Sequence, residues 1–115
     1  PLRTPAVVVT VRVPKELVAR DPAVLAPLVD LTYVPDDVPG IERRRRGSGF
    51  SYTDALGAAL DHDQIDRVAA LAIPPAWHDV WICPDPDGYL QATGVDEAGR
   101  KQYRYHEGFR SFATA

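Results

Sequence analysis

The sequence is short of the residues that mark several large function classes. It has one cysteine, Cys83, in 115 residues. A lone cysteine closes no internal disulfide and no cysteine-type zinc site, which suits a reducing compartment. No apolar run approaches the roughly 18 residues that a membrane span needs. No basic stretch precedes an apolar one in the manner of a secretory signal. Neither a Walker loop nor a GxGxxG turn is present, so nothing marks a nucleotide site. The calcium-loop ligand series is missing as well, and Asp85 and Asp87 around Gly88 read as a turn. Positive charge is not in excess, since the formal net charge is −3. The chain opens on Pro1 rather than Met, which leaves room for an upstream segment.

What is present is unevenly distributed. Apolar residues make up 45% and charged residues 25%, the values of a globular chain of one domain. Eleven prolines point to short elements rather than a long helical bundle. The net charge is −1 over residues 1–40, +3 over 41–53, −8 over 54–98 and +3 over 99–115. Arg43, Arg44, Arg45 and Arg46 make the first basic stretch. Arg100, Lys101, Arg104 and Arg110 make the second. A dipolar surface of this kind can hold a polyanion on one side and repel it on the other. Two solvated basic loops that touch nothing would give the same count.

Periodicity predicts an α+β fold with a small antiparallel sheet of about five strands, one clear helix and one or two short ones. Ala6–Val13 alternates as a strand. Asp21 can cap a short helical turn with Pro22 at its first position, limited by Pro27. Leu31–Val34 reads as a short strand ended by Pro35. Val38-Pro39-Gly40 turns the chain, the arginine run follows as a loop, and Gly47-Ser48-Gly49 is a flexible connection. Phe50–Thr53 alternates again. Asp61 begins the main helix with Gln64 at capping-box spacing, and Ile65, Val68, Ala69, Leu71 and Ala72 recur at helical intervals until Pro74-Pro75. Val80–Cys83, Tyr89–Val95 and Arg100–His106 form a three-stranded meander, joined by turns at 84–88 and 96–99. Trp77 and Trp81 read as core aromatics, and Cys83 as a small buried apolar residue. Asp61, His62, Asp63 and Asp66 lie on the first turns of the helix, where carboxylates suit its dipole rather than a metal.

The stretch richest in chemistry is Gly99-Arg100-Lys101-Gln102-Tyr103-Arg104-Tyr105-His106. As a strand it sets Lys101, Tyr103 and Tyr105 on one face and Arg100, Gln102, Arg104 and His106 on the other. Neither face is greasy. Cations neutralise phosphates, tyrosine hydroxyls bond phosphate oxygens, and Gln and Arg can read base edges in a major groove. An edge strand kept soluble by charge accounts for the same residues without a ligand. A platform that stacks single-stranded DNA or RNA on Tyr103 and Tyr105 is a third possibility. No set of nucleophile, base and stabiliser stands out, so the residues do not compose a complete enzyme site.

Three segments resemble the N-terminal domain of type IB DNA topoisomerases of the bacterial and poxvirus-like branch. They are Pro39–Arg43 continuing to Gly47–Tyr52, Leu71–Trp77 followed by Asp79–Pro84, and Gly88–Gly94 leading into Gly99–His106. They occur in the family's order over residues 31–106, whereas 1–30 is an extension without usable resemblance and 107–115 would begin a linker. The resemblance implies a small domain that sits in the major groove of double-stranded DNA, while a catalytic domain of the same protein closes a clamp from the other side. It implies DNA contacts at Gln102, Tyr103 and Tyr105, phosphate contacts at Arg100 and Lys101, and weaker candidates in the arginine run, Arg43 and Arg44, with Arg104 on the same basic strand. It implies a parent enzyme that relaxes supercoils without ATP, metal or any other cofactor, through a 3′-phosphotyrosyl intermediate. None of Tyr33, Tyr52, Tyr89, Tyr103 and Tyr105 matches the family's nucleophile motif, and His62, His78 and His106 do not match its histidine. The chain alone is therefore expected to bind DNA without cutting it, as a monomer in a bacterial cytoplasm, close to the nucleoid.

Overall fold

The computed structural model describes residues 21–113. The expected strand at Ala6–Val13 lies outside them. Five strands form one antiparallel sheet: β1 (Ile41–Arg46), β2 (Gly49–Thr53), β3 (His78–Ile82), β4 (Leu90–Val95) and β5 (Lys101–Tyr105). Their spatial order is β2-β1-β3-β4-β5, which leaves β2 and β5 as edges among the described residues. Among the described residues three α-helices accompany the sheet: α1 (Pro22–Leu25), α2 (His62–Ala70) and α3 (Glu107–Ala113). The architecture is the α+β one that the periodicity predicts. No helix among the described residues is long and apolar enough to cross a membrane.

Local signals account for most of the boundaries. Asp21 accepts a hydrogen bond from the Ala23 N–H and Pro22 stands at the first position of α1, as expected. Pro27 does not end the helical path there, because a 3-10 turn, Ala26–Val29, carries it on until Asp30 adopts a left-handed φ of 59°. Asp61 caps α2 through Oδ1, which accepts from the Gln64 N–H at 2.9 Å. Only that half of the capping box forms, since the Gln64 side chain reaches Arg67 and the Pro84 carbonyl instead. The helix ends at Ala70, before the proline pair, where Ala72 turns left-handed at φ 49°.

Two expectations need correction. The arginine run is not a loop. It is strand β1, paired residue by residue with β2 from Glu42↔Thr53 to Arg46↔Gly49. Arginines carry no apolar period, so the strand is invisible to alternation; cross-strand pairing and a Gly47 φ of 59° at the first hairpin position define it. Leu31–Val34 is not a strand either. Thr32 makes one isolated parallel bridge to Gly88.

The core has two parts, one on each face of the sheet. Ile41, Val68, Ile82 and Ala92 pack beneath α2, with Tyr52, Leu60, Leu71, Ile73 and Val80 around them. Leu25, Ala26, Leu31, Tyr89, Leu90 and Phe109 fill the opposite face at one end, with Val29 and Trp81 against them. Full burial of a side chain such as Leu25 or Ile82 is worth about 1.5–3 kcal/mol. A register shift between Leu90 and Ala92 marks a bulge, and the Gln91 side chain there is buried. Its amide donates to the Gly88 carbonyl at 2.7 Å and accepts from Arg67 Nη1 at 2.6 Å. Arg67 also donates to the Cys83 carbonyl at 2.6 Å, so one guanidinium fastens α2 to the β3–β4 turn. Burial pushes the Cys83 thiol up, consistent with an inert packed residue.

Gly40 fits between Trp81 and Ile82 because it lacks a side chain. A Cβ there would stand 2.7 Å from the Ile82 carbonyl oxygen and closer still to the indole nitrogen. That nitrogen donates to the Val38 carbonyl at 2.8 Å, so neither neighbour can yield cheaply. Gly40→Ala is expected to lower stability by about 1–3 kcal/mol in urea unfolding, the usual range for overpacking; a change under about 0.5 kcal/mol would contradict the packing.

Candidate functional site

The period of two along β5 builds the site. Tyr103 and Tyr105 point away from α2, with relative exposures of 47% and 40%. Their rings run nearly parallel, centroids 6.1 Å apart and planes 13° from each other. Tyr105 is braced from below. It packs on Phe109 at 5.7 Å and on Tyr89 at 6.1 Å, and Tyr89 in turn stacks on Tyr33 at 5.3 Å. The exposed pair is therefore the outer end of an aromatic cluster that continues into the core. Burial, aided by neighbouring phenols, pushes Tyr89 up to about 12. Burial raises Tyr105 as well. Tyr105 thus keeps its proton at neutral pH and can donate to an anion instead of repelling it.

Lys101 lies on the same face. Its Nζ is 2.6 Å from Asp36 Oδ2 and 5.4 Å from the Tyr103 ring centroid. The hydrogen bond with Lys101 holds the Asp36 carboxyl below the usual carboxylate range, and Asp36 raises Lys101 in return. Cross-strand pairing carries this face through Thr93 on β4, Trp81 on β3 and Glu42 on β1. Arg44 and Arg46 share the parity of Glu42 along β1 and are exposed. Arg44 lies 3.7 Å from the Glu42 carboxylate, with 76% of its side chain exposed.

The other candidates point to the α2 face. Gln102 donates to Asp96 Oδ2 at 2.9 Å. Asp96 also accepts from the backbone and side chain of Arg100, and these bonds keep its carboxyl depressed. Arg104 sits over Trp77 at 5.5 Å, and its Nε is buried without a partner. Arg43 is a bolt. It donates to the carbonyls of Ile73, Pro74 and Trp77 at 3.4, 3.1 and 2.8 Å and lies 4.1 Å over the Phe50 ring. Arg45 donates to the Pro75 carbonyl at 3.2 Å. The structure thus gathers Lys101, Tyr103, Tyr105 and Arg44 on one face, with Arg100 at the turn, and places Gln102, Arg104 and Arg43 on the other.

Asp36 and Arg67 escaped the sequence reading, and Arg46 entered it only as part of the arginine run. Arg46 belongs to the exposed face, and the alternation of the run would have shown it had the run been read as a strand. Asp36 had no signal beyond its charge. Arg67, the single cation in a strongly acidic stretch, was detectable as an oddity. Among the described residues, no three His, Cys, Asp or Glu side chains gather as a metal site.

Residues 49–96 match the family model of the bacterial DNA topoisomerase IB N-terminal domain. The DNA topoisomerase 1B of Acanthamoeba polyphaga mimivirus is 46% identical over 70 residues, which cover 59% of this chain and 20% of that protein. The aligned stretch thus spans a fifth of that relative. The family-model match agrees with the resemblance read from the sequence segments over residues 49–96 and stops short of β5.

The two sets of arginines are expected to separate in a stability measurement. Arg43→Ala should lose about 2 kcal/mol or more by leaving carbonyls unpaired, whereas Arg44→Ala should change urea stability by less than about 0.5 kcal/mol. Equal losses would contradict the division of β1 into a structural and an exposed face.

Proposed function

Starting from the match of residues 49–96 to the N-terminal domain of bacterial type IB topoisomerases, we propose that this chain is the duplex-gripping half of such an enzyme's DNA clamp. The parent protein would relax supercoils by transient cleavage of one strand through a 3′-phosphotyrosyl link, followed by religation. The chain by itself would hold DNA and not cut it. The observation that carries this reading is the exposed face shared by Lys101, Tyr103 and Tyr105 at an open sheet edge.

The geometry suits a groove. β5 is an edge strand, and β4 with β5 makes a two-stranded ribbon of the width that a major groove admits. Edge-on entry presents both faces of β5 to the walls of the groove. Tyr103 and Tyr105 would face one wall as donors to phosphate oxygens. Gln102 and Arg104 would face the other, Gln102 exchanging its bond to Asp96 for a base edge. Arg44 and Arg46 share the tyrosine face three strand spacings behind β5, about 14 Å, which is beyond the groove depth of about 8.5 Å. They would meet phosphates at the rim of the same wall. Only a few phosphates are in reach, so the electrostatic contribution is modest and the isolated chain should bind weakly.

Parallel, half-exposed tyrosine rings also suit stacking on unpaired bases, which keeps a single-strand or RNA reader as the rival reading. A competition experiment separates the two. Fluorescence anisotropy at low salt should show duplex displacing labelled duplex more effectively than single strand of equal length. Affinity should fall steeply as salt rises, and Tyr103→Phe or Tyr105→Phe should each cost about 1 kcal/mol. Preference for single strands, or an affinity indifferent to salt, would overturn the clamp reading.

A further inference from the structure

Lys101 is already engaged on the face where a phosphate would approach. Asp36 reaches it from the segment between the Thr32 bridge and β1, at 2.6 Å. Thr93 on β4 lies beside the carboxylate and, after Lys101, also favours its charged form. Thr93 is buried, at 3% exposure, and cannot follow an incoming ligand. The Asp36 side chain is 25% exposed and the Lys101 side chain 49%, so the pair is more open to solvent on the lysine side. Asp37, the next residue, is exposed. A carboxylate and a phosphodiester are both singly charged oxygen anions that seek the same ammonium protons. Lysine has three N–H donors and could touch both at once, but the two anions would then repel each other at close range.

We propose that Asp36 is a built-in competitor for phosphate at Lys101, making this position an exchange site that sets how selectively the face accepts a polyanion. This rests on the DNA-binding reading of the same face. An isolated anion gains one contact at Lys101 and must displace a tethered carboxylate to obtain it. A nucleic-acid backbone gains further contacts at Tyr103, Tyr105 and the β1 arginines, together with the release of counterions. The exchange is therefore favourable only for a ligand that engages several groups. Asp36 keeps the lysine masked against small anions and stray acidic side chains.

The test is duplex affinity by anisotropy at low salt for the full chain, Asp36→Asn, Asp37→Asn, Lys101→Met and the double variant Asp36→Asn with Lys101→Met. Asparagine keeps the shape and an acceptor oxygen for Lys101, and circular dichroism checks that each variant is folded. Asp36→Asn should tighten binding about fivefold, the scale of a partly exposed ion pair. Asp37→Asn removes the same charge one residue away and should change affinity less than about twofold. Relative to Lys101→Met alone, the double variant should gain no more than Asp37→Asn does. Weaker binding by Asp36→Asn would overturn the exchange and make Asp36 a positioning residue for Lys101. An equal gain from Asp37→Asn, or a fivefold gain that survives Lys101→Met, would reduce the effect to general charge and overturn it too. Wild-type binding without any gain overturns the exchange alone. No duplex binding by the unaltered chain overturns the functional reading along with it.

Discussion

Ile41, Ile82 and Ala92 lie in one cross-strand row beneath Val68, and the rest of the molecule follows from that row. Side chains alternate faces along a strand, so a slip of one residue would send every member to the opposite side. With Ile41 facing α2, Arg43 and Arg45 must face the same way and Arg44 and Arg46 must not. With Ala92 facing α2, Arg104 is carried with it, and Tyr103 falls on the other face with Thr93. The apolar row fixes the register, and the register fixes which cations are structural and which are free to meet a ligand.

That division explains how an acidic chain can offer a basic surface. Half of the arginine run is consumed internally, with Arg43 and Arg45 covering Phe50 and tying down carbonyls between Ile73 and Trp77. These bonds hold the loop that delivers Trp77 to the sheet, where Gly94 leaves room for its ring. Arg67 serves the same purpose at the β3–β4 turn. The acidic groups of residues 54–98 lie largely in loops, turns and the first turns of α2, away from the tyrosine pair. Asp36, outside that stretch, sits directly on Lys101.

Much of the fold was legible in the residues. The meander β3–β4–β5, the Asp61 cap and the strand Phe50–Thr53 all follow from alternation, capping and turn chemistry. The faces of β5 were legible too, because a period of two needs no tertiary information. What escaped detection is what depends on partners distant in sequence. Four arginines in a row look solvated until β2 pairs with them and Phe50 lies under two of them. Leu31–Val34 alternates well enough for a strand, but Thr32 finds only Gly88 to pair with. Arg43 as a bolt depends on carbonyls some thirty residues away, and no local pattern announces them. The ion pair that covers Lys101 escaped for the same reason.

The central claim is that the open edge of the sheet, through β5, meets duplex DNA. Backbone amide shifts, followed by NMR as a short duplex is titrated into the chain, test it most directly. The largest changes are expected on Lys101–Tyr105, with a second group at Arg44 and Arg46, and should fade as salt is raised. Changes confined to α2 and the loop at 54–60, or none at low salt, would contradict it.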